Sequence, residues 1–90
     1  MQIRRTRLEI LLGVLNAIRD GENKPTRIMY ATNMSWIPTK KILTKLVESG
    51  FIEVTEEPSG GRSKMRYEIN EKGMKVLRYF NGAQELLSIQ

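Results

Sequence analysis

Ninety residues, 40% of them hydrophobic and 28% charged, are enough for one compact domain and too few for two. The chain has neither cysteine nor histidine, which excludes a disulfide scaffold, a thiolate or imidazole metal site, and the commonest nucleophile and general base. A formal charge of +5 favours a polyanionic partner without identifying one, and the small size makes self-association a natural source of extra stability.

The apolar stretch from Ile10 to Ile18 is interrupted by Gly13 and Asn16 and ends at Arg19-Asp20. It is too short to cross a bilayer and lacks a small-residue cleavage site, so the protein is expected to remain in the cytoplasm. Thr6-Arg7-Leu8-Glu9 has the form of a capping box and predicts a helix start. Leu8, Leu11, Leu12, Leu15 and Ile18 then recur at helical spacing, and Asp20-Gly21 supplies a stop, which gives a helix over 7–20 with a leucine stripe toward the core. Pro25 suits the first position of a short second helix over 25–32, with Ile28 and Ala31 inward. Asn33 tolerates the left-handed backbone needed to leave that helix.

Ser35 is placed to cap a third helix over 36–49, with Pro38 tolerated in its first turn and Gly50 as terminator. At 100° per residue Trp36, Leu43, Leu46 and Val47 share one face with Ile42 at its edge, and Lys41 and Lys45 lie opposite, flanked by Ile37, Pro38 and Thr44. Residues 51–55 and 65–69 carry strand patterns, the second with Met65, Tyr67 and Ile69 on one side. Together they predict a hairpin whose connection, residues 56–64 with Pro58-Ser59-Gly60-Gly61, projects as a mobile loop. Asn70 caps a last helix running from 71 toward the C-terminus.

Helix, helix, helix, hairpin, helix is the pattern of an α+β, mainly α, winged helix-turn-helix. Residues 1–70 read as the DNA-binding domain and residues 71–90 as a C-terminal helix for dimerisation. In that arrangement the second helix braces the third, whose outer face enters a major groove while the 56–64 wing lies on the backbone or the adjacent groove. The residues expected at double-stranded DNA are Ser35, Ile37, Pro38, Lys40, Lys41, Thr44 and Lys45 on the recognition helix and Arg62, Ser63, Lys64 and Arg66 on the wing. Arg4, Arg5 and Arg7 supply further phosphate contacts. Val76, Phe80, Ala83 and Leu87 are spaced as a coiled-coil seam, with Gly73 and Gln90 continuing the phase and Leu86 beside it. They are the expected homodimer interface.

Plainer explanations compete with each assignment. Lysines on an exposed helix face are by default only solvated, and it is the helix-turn-helix context that gives these a role. Gly60-Gly61 lacks the GxxxxGK[ST] frame and reads as a hinge rather than a phosphate cradle. Trp36 and Tyr30 read as core or turn packing, because aromatic residues are too few for a single-strand stacking platform. No cofactor, metal or small-molecule ligand is implied, and no convergent set of residues suggests an enzyme. The alternative is a winged helix that docks a protein subunit of a transcription or replication complex.

Thr6-Arg7-Leu8-Glu9-Ile10, the run from Thr26 to Ser35, Leu46-Val47-Glu48-Ser49-Gly50-Phe51-Ile52 and Asn70-Glu71-Lys72-Gly73 together resemble the small archaeal winged-helix DNA-binding proteins. That group comprises ten-kilodalton chromatin-associated dimers and predicted transcriptional regulators. The resemblance implies a transcriptional regulator or nucleoid-associated protein, dimeric through an antiparallel coil of its last helix. This chain differs in carrying Gly82 within that helix and Pro38 in the recognition helix.

Overall fold

The computed structural model of the chain describes residues 5–60 and 62–87, with the side chains of residues 59, 62 and 63 outside that description. Its elements are α1 (Arg7–Arg19), α2 (Pro25–Ala31), α3 (Trp36–Glu48), β1 (Ile52–Ser59), β2 (Arg62–Ile69) and α4 (Glu71–Leu87). The first helix begins at the expected capping box. The Glu9 amide donates to Thr6 Oγ1 at 3.1 Å, and the Thr6 amide donates to Glu9 Oε1 at 3.0 Å.

The first three helices end in the same way, one residue earlier than the sequence pattern suggests. Asp20, Thr32 and Ser49 are caps, and Gly21, Asn33 and Gly50 follow with φ of 104°, 55° and 82°. In each case the left-handed residue donates to the carbonyl three back, and its successor to the carbonyl five back. At α3 these are Gly50 to Val47 and Phe51 to Leu46, both 3.0 Å. The paired bonds satisfy carbonyls that a helix end leaves without partners, and they turn the chain sharply enough for short connections.

The core is built from Val14, Leu15 and Ile18 of α1, Ile28 of α2, Leu43 and Leu46 of α3, Ile52 of β1 and Leu77 of α4. The α1 stripe enters it only from Leu11 onward, and Leu8, expected inside, is exposed. Ala31 is exposed as well, since Ile28 alone carries the buried face of so short a helix. On α3 the line Thr39, Leu43, Leu46 faces inward, and Trp36, expected with it, stands at its flank 42% exposed. Thr39 takes the inner position, fully buried, because its hydroxyl donates to the Ser35 carbonyl at 2.8 Å and so brings no unsatisfied polar group into the core.

The hairpin is longer than expected. Antiparallel pairing runs from Ile52↔Ile69 to Ser59↔Arg62, so residues 56–59 and 62–64, expected as loop, are strand. Pro58 is tolerated because a two-stranded sheet leaves each strand an unpaired edge on which a missing N–H costs nothing. The base of the wing is anchored by Asn23, whose carbonyl accepts from the Tyr67 amide at 2.9 Å while its side-chain amide donates to the Tyr67 carbonyl at 2.8 Å.

The last helix is fastened to the end of α3. Asn70 caps α4 by accepting from the Gly73 amide at 2.9 Å and donates to the Gly50 carbonyl at 2.7 Å. Lys72 donates to the Ser49 carbonyl at 2.8 Å with its ammonium 4.6 Å from the centre of the Phe51 ring. Gly73, expected to continue a dimer seam, is instead buried within the domain. A Cβ there would meet the Phe51 carbonyl and stand 2.7 Å from Ile69 Cγ1. Gln90, the other end of that phase, lies outside the described residues.

Candidate nucleic-acid interface

Burial of Thr39, Leu43 and Leu46 fixes the rotation of α3 and therefore what it presents outward. At 100° per residue the direction opposite the buried line is occupied by Ile37, Lys41 and Glu48, with Thr44 and Lys45 on either side. All five are exposed, as are Ser35, Pro38 and Lys40. The ion pairs among the described residues are Arg19–Asp20, Arg27–Glu22, Arg66–Glu68 and Arg78–Glu71. Lys40, Lys41 and Lys45 belong to none of them, so their charge is available to a partner.

Ser35 occupies the N-cap position, but its side chain makes no capping bond. An N-cap oxygen ordinarily accepts from the second or third helical amide, and the third helical residue here is Pro38, which has no N–H. The carbonyl of Ser35, rather than its hydroxyl, engages the helix, accepting from the Thr39 amide at 3.3 Å as well as from the Thr39 hydroxyl. The expected cap is thus corrected, and the exposed Ser35 hydroxyl is left for other use.

The wing is less basic than its sequence suggests. In the observed register Glu53, Thr55 and Glu57 stand opposite Glu68, Arg66 and Lys64, so the cations share one face with carboxylates. Lys64 is paired directly across from Glu57, and Arg66 Nε lies 3.1 Å from Glu68 Oε1. Along the shaft of the hairpin carboxylates outnumber the cations, since Glu53, Glu57 and Glu68 share that face with Lys64 and Arg66. Arg62 sits at the tip by its register with Ser59, and the side chains of Arg62 and Ser63 lie outside the described residues.

The N-terminal arginines separate. Arg4 is outside the described residues. Arg5 donates from Nη1 to the Thr32 carbonyl at 2.8 Å, so it is engaged at the end of α2. Arg7 is exposed and meets Pro38 and Lys41 at a groove of about 370 Å³ between α1 and α3, floored by Ile10, Leu11 and Ile42. The two bonds from Thr6, with a smaller attraction from Arg5, hold the Glu9 carboxyl below the usual carboxylate range.

Sequence inspection missed two cations, Lys24 and Arg27. With Lys64 and Arg66 they line a cavity of about 380 Å³ between the α1–α2 turn and the wing, together with Glu22 and Glu57. The signal that brings them to the wing is the Asn23–Tyr67 pairing, which no local pattern announces. Sequence inspection also placed Tyr30 in packing, whereas it is 76% exposed. Among the described residues no group of three or more Asp and Glu side chains is placed to hold a metal ion, and no helix is long and apolar enough to cross a membrane.

Two helices joined by the short turn 32–35, the second presenting a basic face without ion pairs among the described residues, followed by a two-stranded hairpin, define a winged helix-turn-helix domain. A family model for the winged helix-turn-helix matches residues 4–88, and the chain belongs to that family. It is 31% identical over 86 residues to an uncharacterized protein of the archaeon Methanocaldococcus jannaschii, covering 96% of this chain and 77% of that protein. Among solved structures it is similar to Sso10a-2, a DNA-binding protein from Sulfolobus solfataricus (TM-score 0.73, 24% identity, 93% of this chain and 83% of that one). It is also similar to Bordetella bronchiseptica BpsR, whose DNA binding is regulated by 6-hydroxynicotinic acid (TM-score 0.75, 18% identity). That likeness covers 88% of this chain, which spans only 60% of the length of the BpsR chain.

Proposed function

We propose that the protein binds double-stranded DNA as a homodimer and serves as a transcriptional regulator or nucleoid-associated protein. The observation that carries this reading is the outward face of α3, where Lys41 and Lys45 stand unpaired opposite a buried line that fixes their direction. Thr44 flanks Lys41 on the side away from Lys45, Lys40 lies further round the helix, and Ser35, Ile37 and Pro38 open the same helix. Such a face fits a major groove, and its cations replace the counterions of the phosphates they approach. Arg7, beside Lys41 and Pro38, extends the basic surface along the helix. The wing contributes through Arg62, Ser63 and Lys64 near its tip, with Arg66 tied to Glu68, and the N-terminal Arg4 and Arg5 add phosphate contacts on this reading. The DNA-binding activity of Sso10a-2 and BpsR, proteins of similar fold, supports the same reading.

The dimer rests on α4. Leu77 is in the core and Val76 is half-buried against it, so the surface available to a partner starts at Tyr79 and Phe80. Phe80 and Ala83 are half-buried, while Tyr79, Leu86 and Leu87 are 72%, 88% and 69% exposed, an apolar run that a second copy would cover. Twofold pairing would set two recognition helices on one duplex. On this reading residues 1–70 carry the DNA contacts and residues 71–90 the dimer contacts.

A second reading, docking of a protein subunit, is favoured by the exposure of Tyr30 and Trp36 around the α2–α3 turn. Titration of a random and a promoter duplex across a range of salt separates the two. Affinity that falls steeply and linearly on a logarithmic salt scale supports DNA binding, and its near absence at low salt supports the docking module. Equal affinity for both duplexes indicates an architectural role, and a large ratio a regulatory one.

A further inference from the structure

Ile37 is 67% exposed at the N-terminal end of the outward face of α3. Isolated exposed apolar residues are ordinary, but this one has no structural reason for its place. It is the second residue of the helix, where a β-branched side chain gains nothing in helix propensity and where an acidic residue would be favoured by the helix dipole. The first turn of α3 carries no acidic residue, although one there would stabilise the helix. An apolar group stands where a carboxylate would be the stabilising choice, and a carboxylate there would repel phosphate.

The rest of the face gives it a direction. Lys41 follows Ile37 by one turn, then Thr44 and Lys45, and Glu48 closes the face about 16 Å further along the axis. A helix whose N-terminal half is apolar and cationic and whose last turn is acidic enters a polyanionic groove with its N-terminus leading and the Glu48 end tilted away. That orientation brings Ile37 toward the base edges with Lys41 one turn behind it, and Lys40 and Lys45 to either side toward the phosphate walls. An apolar protein partner would have to bury those lysines, whereas a major groove supplies anionic walls and one apolar group on its floor, the thymine C5-methyl.

We infer that Ile37 is a specificity-determining residue that packs against thymine methyl groups, giving the protein a preference for thymine-bearing major grooves. The inference rests on the DNA-binding reading above and names the base feature that is read. The test compares an alternating A·T duplex with the same duplex carrying deoxyuridine in place of thymine, which removes only the methyl groups. Wild-type protein, Ile37→Ala, Ile37→Val and Lys41→Ala are titrated against both by fluorescence anisotropy.

The wild type is expected to bind the thymine duplex about fourfold more tightly for each methyl covered. Ile37→Val keeps most of that ratio, Ile37→Ala brings it to about one, and Lys41→Ala weakens both duplexes while preserving the ratio. A ratio of about one in the wild type overturns the inference and leaves DNA binding intact. A ratio that persists in Ile37→Ala assigns the preference to duplex shape and also overturns it. Failure to bind either duplex at low salt removes the DNA-binding reading and the inference with it.

Discussion

The same chemical change, glycine to alanine inside a helix, should have opposite effects at two positions in this protein. At Gly73 the added Cβ would meet the Phe51 carbonyl and lie 2.7 Å from Ile69 Cγ1, about 1 Å inside an ordinary carbon–carbon contact. Phe51 cannot yield freely. Its amide closes the α3 terminus and its carbonyl accepts from Asn70, so a shift strains both the α3 end and the α4 start. Overpacking of this kind costs about 1–3 kcal/mol, and alanine returns about 1 kcal/mol in helix propensity. The net loss is about 0–2 kcal/mol, a fall in Tm of up to roughly 15 °C for a chain of this size. At Gly13, within α1, nothing lies within 4 Å of the added Cβ, so the propensity gain stands alone and Tm should rise by several degrees. Thermal unfolding by circular dichroism at a single protein concentration measures both. A Gly73→Ala protein as stable as Gly13→Ala would refute the packing of α4 on the α3–β1 junction.

Other outcomes follow from the same contacts. Because the native Glu9 carboxyl lies below its ordinary range, its contribution is present above the unfolded value and is lost as pH falls through the native one. The stability difference between wild type and Glu9→Gln should therefore shrink on acidification in denaturant titrations. A pH-independent difference would count against the capping box. Phe80→Glu with Leu87→Glu should convert a dimer to a monomer in sedimentation equilibrium at micromolar concentration, and a mass unaffected by the pair would defeat the α4 interface. Asn23→Ala removes a hydrogen bond at the base of the wing, with a loss of about 1 kcal/mol. It should speed exchange of the Tyr67 amide, and unchanged exchange would show that the wing does not depend on this anchor.

What the sequence disclosed was the local chemistry. Thr6 and Glu9, Gly21, Asn33, Gly50 and Asn70 each act within a few residues of themselves, and each marks an element boundary in the structure to within a residue. What it hid depended on partners distant in the chain or on one residue disabling another. Pro38 cancels the Ser35 cap, a two-residue effect that a search for capping residues overlooks. Thr39 enters the core because its hydroxyl is satisfied by its own helix, so side-chain polarity alone does not mark which face of α3 is buried. The wing was read as loop because Pro58 and Gly60-Gly61 punctuate it, yet proline is harmless on a two-stranded edge. Cross-strand register, invisible beforehand, placed Glu57 against Lys64 and so reduced the charge expected of the wing. Lys24 and Arg27 joined the wing only through Asn23.

On the proposed function, the lysines on the outer face of α3 contact DNA. The most direct measurement is the salt dependence of duplex affinity for wild type and for Lys41→Ala with Lys45→Ala, both side chains being exposed and outside the core. If each lysine neutralises one phosphate, the double variant should bind more weakly at low salt, with the slope of log affinity against log salt reduced by about 2, and should retain the wild-type Tm. An unchanged slope and affinity in a folded double variant would remove α3 from the interface and contradict the account.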